Sequence, residues 1–424
     1  MKTKRLLSGI LIMIVVLLAN NLLVNAQEKE DVDFYTFSGI VKNKSNKKAV
    51  EYVNVSAVGT NIGTITNEDG EFTLKINKTL KVNEVQLSRI GYHNVLIPAS
   101  NNNKTDEIYF MTPESFRLNE VRVFSWQNPH DLVKAAIEKI EENYAKKPNL
   151  LTGFYRETVQ KRRKYINISE AVIEVYKDAY HLPADKDQVK ILKGRKLISP
   201  KSSDTLSVKL IGGPNISLYL DMVKNPDILL NKETLYFYAF KMGEITSIDE
   251  RLQYTVHFEP QIITDYPLYI GTLYIDRETL SFTRAEFKMD MRNKQKVTNM
   301  ILKDKPRGLR FTPEAVSYVV SYKQKDGKTY MNYLRTEIEF KCDWKRRLFA
   351  TNYNVIGEII ITDRDEQNVS RISNKETFSR YKSLSQEVSL YQDENFWSSY
   401  NIIEPTESLE NAVTKLKKEH SKIQ

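Results

Sequence analysis

Apolar side chains recur at every second position along much of this chain, and that period constrains the fold more than any other feature. Leu252, Tyr254, Val256 and Phe258 share one side of a run whose other side holds Gln253, Thr255, His257 and Glu259. Tyr52 to Val58 alternates in the same way. A period of two sends successive side chains to opposite faces, so each run predicts a half-buried strand. Polar turns join such runs. Lys325-Asp326-Gly327 separates Val316–Gln324 from Lys328–Cys342, and Asp276-Arg277-Glu278-Thr279 links Tyr269–Asp276 to Leu280–Met289. Leu151–Gln160 and Tyr165–Tyr176 flank Lys161-Arg162-Arg163-Lys164, and Val355–Thr362 adds another strand. The expectation is a mainly β chain with a large antiparallel sheet, curved or closed into a half-barrel so that its apolar face is covered.

Two helices interrupt this pattern. Asn128 as N-cap and Pro129 in the first turn open one, with Leu132, Val133, Ala136, Ile137, Ile140 and Tyr144 forming a single apolar stripe. That stripe is expected to pack on the following β-domain. Near the end, Leu409, Ala412, Val413 and Leu416 share one face of a second helix, whose Lys415, Lys417 and Lys418 suit its C-terminus. Between them, Phe396, Trp397 and Tyr400 read either as a partner patch or as side chains buried against the β-domain.

The first residues read as an address. Lys2, Lys4 and Arg5 precede an apolar run from Leu6 to Leu18, and Asn20-Asn21 and Leu22-Leu23-Val24-Asn25 lead to the small residue Ala26. This is the pattern of a secretory signal peptide, residues 1–26, cleaved between Ala26 and Gln27; an uncleaved anchor is the alternative. The formal charge of +9 falls to +6 without those three cations, a mild bias that excludes a nucleic-acid-binding composition. The single cysteine, Cys342, excludes an intrachain disulfide and a Cys-cluster metal site.

From Thr36 to Val123 the strands are short and glycine-punctuated. Gly63–Thr66 and Glu71–Ile76 are read as a hairpin around Asn67-Glu68-Asp69-Gly70. Six or seven strands in this stretch predict a β-sandwich. Ser38-Gly39-Ile40-Val41, Ala49–Val55, Gly59-Thr60, Gly63–Phe72 and Ser88–Tyr92 resemble the carboxypeptidase-D regulatory-like domain. That resemblance implies a seven-stranded, transthyretin-like β-sandwich serving as an accessory module. Domains of this family commonly open larger envelope proteins of Gram-negative bacteria. Leu118–Val123 and Gly153–Glu157 resemble further envelope proteins that share the module. Gly271–Asp276 with Thr279–Phe287 is similar to the half-barrels of periplasmic lipoprotein carriers. The expected domains are a β-sandwich at 35–112, a linker and helix at 113–149, a half-barrel-like domain at 150–390, and a C-terminal aromatic segment and helix at 391–424.

Catalytic chemistry has little to stand on. A zinc carboxypeptidase needs two histidines and a carboxylate on one metal. His93, His130, His181, His257 and His420 start no His-x-x-Glu pair. Phosphate-binding, dinucleotide and nucleophile-elbow motifs are missing. Cys342 lacks a recognisable histidine partner. Gly212-Gly213-Pro214 reads as a turn, and Asn67, Glu68 and Asp69 offer too few oxygens for calcium. No catalytic, cofactor or metal residue is nominated. The expected protein is a non-enzymatic, exported envelope protein, in the periplasm or on the periplasmic face of the outer membrane. Its expected partner is an envelope protein or a lipid-like, apolar ligand, without nucleic acid, and peripheral contact with the outer membrane is left open. A hydrolase with a scattered site and a small outer-membrane barrel are the alternatives.

Overall fold

The computed structural model describes residues 33–99, 104–114, 126, 128–345, 349–379, 382–390 and 396–422. The expected signal peptide and the stretch Leu118–Val123 lie outside the described residues.

Seven strands build the N-terminal sandwich: β1 (Phe34–Asn43), β2 (Asn54–Ala57), β3 (Gly63–Ile65), β4 (Glu71–Asn77), β5 (Glu84–Ser88), β6 (Val95–Pro98) and β7 (Lys104–Met111). One sheet has the order β4-β1-β7 and the other β3-β2-β5-β6. Tyr35, Phe37, Val41, Val55, Phe72, Leu74 and Leu87 fill the space between them, each 2% exposed or less. The expected 63–76 hairpin does not form, because β3 pairs with β2 and β4 pairs with β1. Asn67 shapes the turn between them. Its Oδ1 accepts the backbone N–H of Asp69 and of Glu71, both at 2.9 Å, so the turn carries the chain from one sheet to the other. Gly70, at φ +78°, leaves no room for a Cβ, which would lie 2.6 Å from the Val41 carbonyl.

Helix α1 (Pro129–Glu138) starts as expected, with the Asn128 side chain accepting the His130 N–H. It breaks at Lys139 and a single further turn, α2 (Ile140–Asn143), follows. Leu132, Val133, Ala136 and Tyr144 are buried in the core of the second domain, and the Tyr144 hydroxyl donates to the Phe282 carbonyl at 2.6 Å.

The second domain is one twelve-stranded sheet. Its first strands are β8 (Asn149–Lys161), β9 (Lys164–Lys177) and β10 (Gln188–Ile198). A two-residue strand β11 (Lys209–Leu210), helix α3 (Pro214–Tyr219), β12 (Tyr238–Met242), β13 (Thr246–Ile248), β14 (Arg251–Pro260), β15 (Tyr269–Asp276) and β16 (Phe282–Met289) follow. Helix α4 (Lys294–Ile301) and β17 (Leu302–Asp304) lead to β18 (Leu309–Lys325), β19 (Lys328–Trp344) and β20 (Thr351–Asp365). Helix α5 (Leu384–Glu387), β21 (Ser389–Leu390) and helix α6 (Glu407–Ser421) complete the described chain. The sheet order is β12-β14-β15-β16-β18-β19-β20-β8-β9-β10-β21, with β13 beside β14 and β11 pairing only with β17. All pairs in it are antiparallel except the short β10–β21 contact. Asp326 and Gly327 both take positive φ and close the β18–β19 hairpin.

The two faces have different fates. The inner face carries Tyr254, Val256, Leu273, Ala285, Val320, Leu334, Ile359 and Tyr155. It is covered by α1, α4 and the aperiodic segment 208–238, which contributes Leu218, Met222, Val223, Leu229, Leu230 and Leu235. This interior is packed side chain against side chain. On the outer face, α6 lays Leu409 and Leu416 onto Ile168 and Leu197.

Candidate functional site

Cross-strand register places ten residues on one rung across the outer face. The rung runs Lys241, His257, Thr272, Glu286, Val319 and then Arg335, Glu358, Arg156, Glu170, Arg195, each directly opposite the next. The second half is covered, and the first is open.

The covered half alternates in charge, which suits directly opposed strand neighbours. Glu170 accepts from Arg156 on one oxygen and from Arg195 on the other, both at 2.8 Å. Arg335 reaches Glu358 at 3.4 Å and Glu68 of the sandwich at 3.2 Å. Arg156 also donates to the Ile403 carbonyl at 2.7 Å. The adjacent outer-face row is apolar: Tyr333, Ile360, Phe154 and Val172 meet Ile65 of the sandwich and Trp397 and Ile403 of the C-terminal segment. Phe154 and Trp397 stack edge to face at 5.4 Å. The C-terminal segment holds the sandwich through further backbone contacts. Asn401 exchanges two hydrogen bonds with the Lys75 backbone, Thr64 donates to Ile402 O, and Asn67 donates to Pro405 O. Trp397 is therefore buried between domains, and Asn67, Glu68 and Asp69 spend their side chains on the Asn67 turn, Arg335 and the Glu407 N–H.

The open half is a groove of about 750 Å³ across β12, β14, β15, β16 and β18. Its walls are Lys241, His257, Thr272 and Glu286 with Ile270, Lys288 and Val319. Charges of both signs alternate with short apolar side chains. The floor is close-packed at Gly271, where a Cβ would lie 2.2 Å from the Glu286 carbonyl. His257 Nδ1 lies 3.0 Å from the Thr272 hydroxyl. That is a histidine on a hydroxyl, the first part of a nucleophilic arrangement. The backbone N–H groups around it are spent on strand pairing, and Lys241 and Lys288 supply the cationic donors of the groove.

The inner face contains a buried charge cluster that periodicity does not reveal. Lys177 contacts Asp221 at 2.9 Å and Asp187 at 3.1 Å, Tyr322 donates to Asp221 at 2.7 Å, and Lys224 donates to the Asp178 carbonyl at 2.9 Å. Burial would lower Lys177, yet the two carboxylates outweigh it and raise its pKa; burial lowers that of Lys224. With Lys177 3%, Lys224 2% and Asp221 0% exposed, substrate has no approach to these groups. Further along the same face, Tyr155 donates to Glu157 at 3.0 Å, and burial pushes the Glu157 carboxyl up. Gly213, at φ +92°, turns the chain into α3 against Tyr155, so Gly212-Gly213-Pro214 is a helix start.

The histidines lie on separate elements. His93 and His181 are exposed, His130 edges onto Phe240 at 5.9 Å, and His420 lies 2.6 Å from the Ile198 carbonyl. Cys342 is buried on β19 in the core, and burial pushes its thiol up to about 11. In the cationic run, Lys161 and Lys164 both pair with Asp204, while Arg162 and Arg163 form the exposed turn.

Residues 37–123 match the model of the CarboxypepD_reg-like domain, in agreement with the resemblance read from the sequence. No curated protein matches the chain. Among solved structures the chain is similar to a DUF1329 family protein from Desulfovibrio piger, at 13% identity and a TM-score of 0.23, covering 57% of this chain and 96% of that one. It is also similar to lipovitellin, at 9% identity and a TM-score of 0.24, over 54% of this chain and 27% of that one. A 9R-lipoxygenase from Cyanothece matches at 11% identity and a TM-score of 0.16, over 66% and 42%. Likenesses this loose carry nothing over to this chain.

Proposed function

We propose that this chain is a non-enzymatic, exported binding protein that holds an extended segment of an envelope protein in the outer-face groove. The groove itself carries the reading: it presents a shaped, accessible surface with charges of both signs, as a polypeptide strand would require. The accessory sandwich and C-terminal segment cover the rest of that face and leave the groove clear. The filled inner face favours a protein partner on the outside over an apolar ligand carried within. Export rests on the signal-peptide pattern of residues 1–26.

A photoreactive phenylalanine at Val319 tests the reading in cells. A discrete adduct with an envelope protein is expected, weakened by Lys241→Glu together with Lys288→Glu. The same adduct formed from a probe on the far side of the sandwich, or none from Val319, argues against it. The His257–Thr272 contact favours one rival, hydrolysis. Turnover of an ester or peptide substrate that disappears in both His257→Ala and Thr272→Val would replace the binding reading.

A further inference from the structure

Antiparallel order collects alternate connections at each end of the large sheet. The β8–β9, β14–β15, β16–β18 and β19–β20 connections and the exit of β10 all emerge at one end. Hydrogen bonds and ion pairs tie them together: Arg162 N–H donates to Asn352 O, Lys345 N–H to Gly308 O, Lys296 to Thr264 O, and Lys161 and Lys164 to Asp204.

The two ends differ in charge. Segments 162–163, 199–208, 261–268, 290–308, 345 and 349–350 contain ten Lys and Arg against four Asp. At the other end, segments 139–148, 178–187, 243–250, 277–281, 326–327 and 366–371 contain six Lys and Arg against eleven Asp and Glu. The sandwich docks toward the acidic end, through Gly91 on Ser247, Asn61 on Arg364 and Lys325, and Asn54 on Asn332. None of these docking contacts touches the basic end.

Large apolar side chains also project from the basic end. Ile263 is 91% exposed, Phe349 76% and Tyr266 50%, each on a loop joining strands. Arg162 and Arg163 add a backbone observation. Both occupy left-handed φ, at 50° and 66°, in turn positions that favour Asn and Gly. Asp249 and Glu250 take the same geometry in the β13–β14 turn at the acidic end, so the turn sets the backbone and the arginines set the charge.

We propose that this end of the sheet docks on the surface of an anionic phospholipid bilayer, Arg162, Arg163, Arg307 and Arg310 meeting phosphate while Phe349 and Ile263 enter the headgroup layer. Charge complementarity selects an anionic surface, and the projecting apolar side chains select a bilayer over a nucleic acid, whose backbone offers them nothing. This docking uses the loops at the end of the sheet, whereas the groove lies on its outer face, where Ile270 and Lys288 border the same loops.

Flotation of the full-length chain, as cells process it, with phosphatidylcholine vesicles with and without phosphatidylglycerol tests the proposal. Binding is expected only with phosphatidylglycerol and is expected to weaken at high salt. Arg162→Glu with Arg163→Glu is expected to lower partitioning by about tenfold or more, and Phe349→Ser to lower it at unchanged thermal stability. Lys146→Glu with Lys147→Glu, at the acidic end, is expected to change it little. Equal binding to both vesicles, an equal loss from the Lys146 and Lys147 pair, or duplex DNA binding insensitive to Phe349→Ser would overturn it. Val319 crosslinking is read independently, so either proposal can fail alone.

Discussion

Arg156 and Glu170 face each other across β8 and β9 at 2.8 Å, both almost wholly buried beneath the C-terminal segment. The guanidinium also caps the Ile403 carbonyl, so a single side chain joins sheet and tail. Arg156→Ala leaves Glu170 to Arg195 alone and a buried carbonyl uncapped, and is expected to cost about 2–3 kcal/mol. Urea unfolding measures it; a loss below about 1 kcal/mol would place the pair among ordinary surface bridges. Arg156→Lys is expected to recover little, because an ammonium cannot span both partners in the same plane.

Trp397→Ala should remove the apolar wedge between sandwich and sheet at a cost of about 3 kcal/mol or more. The expected signature is local, with protease cutting residues 396–406 before either domain. Simultaneous loss of all structure at unchanged cleavage order would contradict it.

Gly271→Ala pushes a methyl group into the Glu286 carbonyl and Phe287, and is expected to destabilise by about 1–3 kcal/mol while deforming the groove floor. Crosslinking from Val319 should fall further than stability alone explains.

The hairpin clamp has a defined response to acid. Burial alone would raise the Asp204 carboxyl, but hydrogen bonds from Lys164, Ser199 and Lys161 hold it down at about 2. A depressed carboxyl stabilises above its unfolded value, so this contribution is whole above about pH 4 and is lost as pH falls toward 2. Asp204→Asn should therefore be less stable than the parent at pH 7, by about 2 kcal/mol at most, and nearly equal to it at pH 2. A difference that persists at pH 2 would reject the assignment.

Cys342, buried and with its thiol pushed up to about 11, should resist alkylation at pH 8 until the sheet opens. Rapid labelling of the folded chain would show that β19 breathes.

Much of the architecture is legible in the residues. Alternation marks β14 and the β18–β19 hairpin, Asp326-Gly327 marks its turn, and the apolar stripes of α1 and α6 mark their buried faces. Parity, however, tells which side chains share a face and not which strand lies next. That is why the 63–76 hairpin misled: β3 and β4 each have a strand's period, and the contacts of Thr66, Asn67 and Gly70 in the turn between them go with their pairing in different sheets. For the same reason the ten-residue rung is invisible beforehand, since it needs β20 to pair with β8 across most of the domain. Segment 208–238 fills the inner face without any period to announce it.

The strip from Phe396 to Glu407 leaves the ribosome after both domains it joins. Until it arrives, Phe154, Ile360 and Ile65 lack the cover of Trp397 and Ile403, and Arg156 has no carbonyl to cap. Chains cut short before Trp397 would thus be born sticky and easily degraded, and assembly of the two domains carries its own check that translation ran this far.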